Sequence, residues 1–160
     1  MKKCVFAGTF DPFTVGHHDV VEKCLEMFDG VIIAVLENAN KAPMFSKEDR
    51  LGFIKKLYEN EERVTVKSSD KLLVDFMREE GVNVNVRGLR NSDDYKYETE
   101  MHYFNSDMYP ELITVYLPAP KDVMYVSSTA LRSLMRANAD ISSYVPEKIA
   151  KDVKKALINK

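Results

Sequence analysis

Residues 2–21 read KKCVFAGTFDPFTVGHHDVV, and this stretch decides the fold. Cys4, Val5, Phe6 and Ala7 make a short apolar run that predicts a buried strand. A loop with Gly8, Thr9, Asp11, Pro12, Thr14 and Gly16 follows, and from His17 onward Val20, Val21, Cys24, Leu25 and Phe28 recur at helical spacing. A strand that turns through glycines into a helix aims unpaired backbone N–H groups above the sheet, where they can hold phosphate. The loop is not a Walker A sequence, and with seven residues between Gly8 and Gly16 it is not the dinucleotide pattern G-x-G-x-x-G either. In their place stands Thr14-x-Gly16-His17, which sets an imidazole at the helix entrance beside the expected phosphate position.

Further along, strands and helices alternate. Residues 31–36 are a continuous β-branched run, as expected for a strand covered on both faces of a parallel sheet. A polar loop through Lys41 leads to Ser46, which opens a helix with Leu51, Ile54, Leu57 and Tyr58 on its apolar face. Residues 64–66 predict a third strand, Ser68 to Asp70 a turn, and Leu72, Leu73, Phe76 and Met77 the inner face of a helix ending at Gly81. A fourth strand over 82–86 runs straight into Arg87-Gly88-Leu89-Arg90. Residues 93–108 predict a long helix with a stripe of Tyr97, Met101, Phe104 and Met108, stopped by Pro110. Residues 112–117 give a fifth strand, and two further helices begin near Ser128 and after Pro146. This alternation, without a repeat or a linker, predicts one domain over 1–160: an α/β, doubly wound, five-stranded parallel sheet.

The bulk properties set limits. A chain of 160 residues, 45% hydrophobic, can bury roughly 70% of its unfolded surface. A net charge of −2 argues against general affinity for nucleic acid. Cys4 and Cys24 both fall on apolar faces and read as reduced core thiols. No charged-then-apolar leader is visible and the longest apolar run is too short to span a membrane, so the expected setting is the cytoplasm, with no membrane partner.

Ligands of doubly wound sheets bind outside the carboxyl ends of the strands. Those ends carry Thr9 to His17, Asn38 to Lys41, Ser68 to Asp70, Arg87 to Arg90 and Pro118 to Lys121. Lys41, Arg87 and Arg90 are therefore expected to converge on the edge where His17 points, forming a polyphosphate site. A lone histidine is usually a satisfied surface or core residue. At this strand-to-helix turn, however, a charged or donating imidazole can hydrogen-bond a phosphoryl oxygen as charge builds. His18, about 100° round the helix, reads as a partly exposed residue, and His102, with no second ligand one turn on, as structural. Thr9 can donate its hydroxyl to phosphate or satisfy loop backbone. Asp11 fits an Asx-type turn better than a metal ligand. Glu98 and Asn105 share a helix face that either reaches a ligand or is merely wet. Ser127, Ser128 and Thr129 cap a helix and can cradle phosphate there as well.

Taken together, Gly8-Thr9-Phe10-Asp11-Pro12, Thr14-x-Gly16-His17, Lys41-x-Pro43-Met44-Phe45, Arg87-Gly88-Leu89-Arg90, Tyr97-Glu98, Asn105, Pro110-Glu111 and Val126-Ser127-Ser128-Thr129 resemble the bacterial phosphopantetheine adenylyltransferases along nearly the whole chain. The T/H-x-G-H motif marks only the wider nucleotidylyltransferase superfamily; the Arg-Gly-Leu-Arg and Ser-Ser-Thr runs make the resemblance specific. It implies a Rossmann-like fold and transfer of AMP from ATP to 4′-phosphopantetheine, giving dephospho-coenzyme A and pyrophosphate. It implies Mg²⁺ carried on the ATP phosphates, no protein metal ligand, and a homohexamer, with coenzyme A a candidate feedback inhibitor. By the same resemblance His17 stabilises the transition state, and Thr9, Lys41, Leu73 and Arg87 hold the phosphopantetheine. Thr9, Phe10, His17, Gly88, Leu89, Arg90, Glu98, Val123, Met124, Tyr125, Val126, Ser127, Ser128 and Thr129 bind ATP. The chain departs from the family pattern at Phe6-Ala7, where Tyr-Pro is usual, and at Lys71, where glycine is common. A sister enzyme acting on a mononucleotide, a non-catalytic nucleotide sensor and a flavodoxin-like carrier are the alternatives.

Overall fold

The computed structural model describes residues 1–37 and 42–158. Five parallel strands, β1 (Lys3–Gly8), β2 (Gly30–Leu36), β3 (Val64–Ser69), β4 (Val84–Leu89) and β5 (Ile113–Pro118), lie in the order β3-β2-β1-β4-β5. The chain winds outward from β1 in one direction to β3, then returns across it to β4 and β5. The α/β doubly wound sheet expected from the alternation is the fold observed.

Helices cover both faces because the central strands are apolar on both. Cys4, Phe6, Val31, Ile33 and Val86 pack against α1 (Val15–Met27), α2 (Lys47–Leu57), α5 (Ser128–Arg136) and α6 (Glu147–Ile158). On the other face, Val5, Ala7, Ile32 and Ala34 pack against Phe76 and Met77 of α3 (Leu73–Glu80), beside which lies α4 (Ser92–Met108). Gly81 ends α3 at φ 65°, a left-handed conformation that glycine adopts without strain.

Several boundaries differ from expectation. β3 continues to Ser69, so Ser68 and Ser69 are strand rather than turn. β4 begins at Val84 and continues to Leu89, so Arg87, Gly88 and Leu89 lie within the strand and not after it. The extension is held by parallel pairing of these residues with Tyr116, Leu117 and Pro118 of β5. Leu72 is the exposed N-cap of α3 and Val74 takes the inner position, since the helix starts one residue later than its apolar spacing suggests. In α2, Phe53 and Arg50 are buried while Leu51 and Leu57 are only half-buried. The stripe Tyr97, Met101, Phe104 and Met108 is exposed, and no residue of α4 is fully buried. Asn83 precedes β4 and its side-chain amide donates to the Glu111 carbonyl at 3.0 Å. Asn85 is buried in β4, and its Oδ1 has no partner among the described residues.

The order reverses between β1 and β4, so the loops leaving these two strands open side by side. Gly88 keeps them close to α1: a Cβ there would stand 3.0 Å from Val20 Cγ2. The start of α1, with His17, is thereby held against the end of β4.

Candidate active site

Thr14 is the N-cap of α1, and its bond with His17 is reciprocal. The hydroxyl of Thr14 accepts from the His17 backbone N–H at 3.3 Å, while His17 Nδ1 accepts from the Thr14 backbone N–H at 3.0 Å. A capping box normally uses Glu or Gln at the third position; here an imidazole does the same work. Because Nδ1 accepts, the hydrogen-bond network assigns the ring proton to Nε2. Phe10, Phe13 and Phe6 surround the ring at centroid distances of 5.0, 5.3 and 6.2 Å. Burial, and then the charges of Arg90 and Arg87, lower the imidazole pKa to about 3. Of the charged or donating forms expected for His17, the neutral Nε2–H donor is the one this setting supports.

Tight packing builds the loop under His17. Phe10 adopts φ 52° and turns its ring back over Gly8, where a Cβ would come within 2.9 Å of it. The Phe10 side chain is buried, so only its backbone can face a ligand. Thr9 is half-buried, its carbonyl accepts from Arg50 Nη1 at 2.9 Å, and its hydroxyl has no partner among the described residues.

Asp11 does not make the expected Asx-type turn. Its buried carboxylate accepts from the backbone N–H groups of Met44 and Phe45 at 2.7 and 2.8 Å, tying the first loop to the segment before α2. Arg132 donates to the Asp11 carbonyl at 2.8 Å, and Ser128 Oγ donates to the Pro12 carbonyl at 2.9 Å, so the start of α5 is fastened to the same loop. Arg50, fully buried, completes the frame by donating to Thr9 O, Phe45 O, Ser46 O and the Glu37 carboxylate. Among the described residues, no group of three or more His, Cys, Asp or Glu side chains could hold a metal ion.

The two arginines meet the site from β4 and its end, and both charges bear on His17. Neither is a free cation. Arg87 donates through Nε and Nη2 to both oxygens of Glu98 at 2.8 and 2.6 Å, and through Nη1 to the Ala7 carbonyl. Arg90 donates through Nε and Nη2 to both oxygens of Asp94, each at 2.9 Å. Burial pushes the Asp94 carboxyl up, but hydrogen bonds from Arg90 outweigh this and leave it below its ordinary value. The rim expected to be cationic is thus locally balanced by two carboxylates of α4.

The remaining expected residues lie around this centre. Gly88 and Leu89 run along β4, and Leu73 opens α3 and packs against the cluster of Val5, Ala7, Ile32 and Phe76. Ser127 caps α5 through its hydroxyl at 3.1 Å from the Ala130 N–H, and Thr129 Oγ1 accepts from Arg132 at 3.1 Å. Val126 is buried and Val123 half-buried, whereas Met124 and Tyr125 are exposed. Asn105 is half-buried one face with Glu98. Lys41 lies outside the described residues. His18 is partly exposed and pairs with Tyr58 Oη at 2.7 Å, and His102 pairs with Thr114 Oγ1 at 2.9 Å, in keeping with a structural role for His102.

Three residues of the frame escaped the sequence reading. Arg50 was legible in principle, since it shares helical spacing with Phe53, Ile54 and Leu57 and so falls on the apolar face. Asp94 stands four residues after Arg90, the spacing of a helical ion pair. Arg132 gave no such signal, because its partner is a backbone carbonyl 121 positions away.

Comparison with known proteins adds to this geometry. The cytidylyltransferase-like family matches residues 5–134. A phosphopantetheine adenylyltransferase of Campylobacter concisus is 40% identical over 153 residues, spanning 96% of this chain and 98% of that one. Another, from Clostridium perfringens, is 38% identical over 159 residues, spanning 99% and 97%. Among solved structures, a bifunctional NMN adenylyltransferase/ADP ribose pyrophosphatase from Francisella tularensis has the same fold, with TM-score 0.73 and 18% identity over 96% of this chain and 49% of that one.

Proposed function

Because the chain belongs to the phosphopantetheine adenylyltransferases, within the cytidylyltransferase-like family, we propose that it moves AMP from ATP to 4′-phosphopantetheine by direct in-line displacement. An oxygen of the acceptor phosphate attacks the α-phosphorus, the bond to the β-phosphate oxygen breaks, and pyrophosphate leaves with the electron pair. Dephospho-coenzyme A is the product. The observation that carries this reading is the neutral His17, fixed by Thr14 with its Nε2–H available at the β1–α1 turn.

In this reading His17 donates to an α-phosphoryl oxygen and strengthens that bond as negative charge builds. A preorganised donor of this kind is worth about 10²–10³ in rate. A phosphate nucleophile needs no general base, so a histidine that stays unprotonated is no handicap. No covalent intermediate is invoked: Cys4 and Cys24 are buried, and Cys24 together with burial pushes the Cys4 thiol up. The hydroxyl of Ser127 caps α5. Rate then comes from positioning, worth up to about 7–11 kcal/mol in model reactions, and from donors around the phosphates.

Thr9, Lys41, Leu73 and Arg87 are assigned to the phosphopantetheine. The Thr9–Phe10 backbone, His17, Gly88, Leu89, Arg90, Glu98 and residues 123–129 are assigned to ATP. Mg²⁺ is assigned to the nucleotide's own phosphates, where it would neutralise charge with waters retained; the Asp11 carboxylate is engaged by Met44 and Phe45. The reading includes a cytoplasmic setting, a homohexamer and feedback by coenzyme A. Among the described residues no helix is long and apolar enough to cross a membrane.

The test is incubation with ATP, Mg²⁺ and 4′-phosphopantetheine, followed by chromatography for dephospho-coenzyme A and pyrophosphate. Nicotinamide mononucleotide and nicotinate mononucleotide serve as rival acceptors. Turnover of a mononucleotide with none of phosphopantetheine would overturn the assignment.

A further inference from the structure

Arg87 has five N–H donors and two edges, Nε with Nη2 and Nη1 with Nη2, that match a carboxylate or a phosphate with two parallel bonds. In this structure Glu98 occupies the first edge with both oxygens, and Nη1 of the second is turned to the Ala7 carbonyl. The pair is partly withdrawn from water, with the Glu98 side chain 13% exposed and that of Arg87 24%. Glu98 sits on α4, one turn after the Asp94 that holds Arg90, and its own carbonyl accepts from Tyr116 Oη at 3.3 Å. An anion that reaches either edge of Arg87 must replace the Glu98 carboxylate or share the guanidinium with it at close range, where like charges repel.

We propose that Glu98 is a built-in competitor for the acceptor's phosphate, one that keeps bare phosphate off Arg87. The inference rests on the acceptor reading given above, in which Arg87 is assigned to the phosphopantetheine, and adds that the phosphate is the group its guanidinium takes. Inorganic phosphate has nothing but its charge with which to displace a bidentate carboxylate tethered to a helix. A phosphate carried on an organic arm gains contacts elsewhere and can drive the exchange. Glu98 therefore sets a threshold at Arg87: it weakens free phosphate and arm-borne phosphate by the same factor, and only a ligand with further contacts stays bound at low concentration. The carboxylate also holds the guanidinium in one orientation while the site is empty, so that the exchange replaces one anion by another without rebuilding the fork.

The experiment is isothermal titration of the whole protein with inorganic phosphate, with 4′-phosphopantetheine and with unphosphorylated pantetheine. In Glu98→Gln the charge is lost and the shape kept, and phosphate should bind about tenfold more tightly than to the unaltered protein, the scale of one charge-assisted hydrogen bond. Pantetheine affinity should not change. Glu98→Ala, which removes the competitor altogether, should show the same gain, and adding Arg87→Ala should abolish it. Unchanged or weaker phosphate binding in both Glu98 variants would overturn the proposal. Failure of 4′-phosphopantetheine to bind the unaltered protein would instead overturn the acceptor reading, and the phosphate titrations distinguish the two.

Discussion

Thr14 and His17 cap one another: each gives a backbone N–H to the other's side chain, at 3.0 Å to Nδ1 and 3.3 Å to the hydroxyl oxygen. A single side chain therefore both starts α1 and presents Nε2–H to the site. The two roles can be separated by substitution. His17→Ala removes both and should lower kcat by about two to three decades while destabilising the fold by about 1 kcal/mol. Gln is a normal capping-box residue at this position, so His17→Gln should recover most of the stability without recovering the rate. Steady-state kinetics and thermal melting of the two variants check this, and near-normal turnover in His17→Ala would remove His17 from the mechanism.

The pH behaviour follows from the His17 environment. Its pKa lies near 3 in the fold against 6.5 for an ordinary histidine. The folded state therefore stays unprotonated while the unfolded chain takes up a proton, so stability is complete above pH of about 6.5 and falls as pH drops toward 3. His17→Gln should flatten that part of the stability curve, as measured by denaturant titration at several pH values. The His17 ring-nitrogen resonances, assigned by their loss in His17→Gln, should show the Nε2–H tautomer with no titration between pH of about 5 and 8. A His17 imidazole titrating near 6.5 would contradict the burial argument.

Asp11 is the knot between the first loop and the segment before α2. Asn in its place keeps the volume but offers one acceptor oxygen where two N–H groups now find one each. Asp11→Asn should cost about 1–3 kcal/mol, the price of a buried donor left unpaired. Calorimetric melting would register the loss, and an unchanged midpoint would show that Met44 or Phe45 finds another acceptor.

Arg50 makes bonds to three backbone carbonyls and one carboxylate from inside the protein. Lysine retains the charge but not the planar fork. Arg50→Lys should destabilise by about 2–3 kcal/mol. The loop carrying Thr9 should also loosen, which hydrogen exchange at the Phe10 and Asp11 amides would report as lost protection.

The stripe on α4 leaves Tyr97 58% and Phe104 65% exposed, with Ile113 of β5 also open. Exposed apolar patches of this kind mark interaction surfaces. Sedimentation at micromolar concentration should show an assembly larger than a monomer, and Tyr97→Lys with Phe104→Lys should disperse it. A monomeric unaltered protein would exclude the hexamer.

Where the physics is local, the chain is readable without coordinates. Apolar runs such as 31–36 declare buried strands, the β1–α1 turn declares a phosphate-facing helix start, and alternation of strand and helix declares parallel pairing. What stayed hidden depends on partners distant in sequence. The length of β4 is set by its pairing with β5, so Arg87 looked like a loop residue. Asp11 looked like a turn residue because the N–H groups it serves are 33 and 34 positions away. The charges of Arg87 and Arg90 looked free because composition does not show which carboxylates α4 will turn toward them. Sequence shows which groups gather at the rim; the fold decides which of them are already engaged.

Gly88 acts as a gauge for the whole rim. Its missing side chain fixes how deeply α1 settles on β4, and with it the gap between an imidazole rooted in one element and guanidinia rooted in the other. A single methyl at this point would work as a shim, lifting the helix by a few tenths of an ångström against Val20. In-line displacement tolerates such offsets poorly, since a misplacement of about 1 Å can slow a reaction by about a hundredfold. Gly88 thus shapes the chemistry through an atom it does not have.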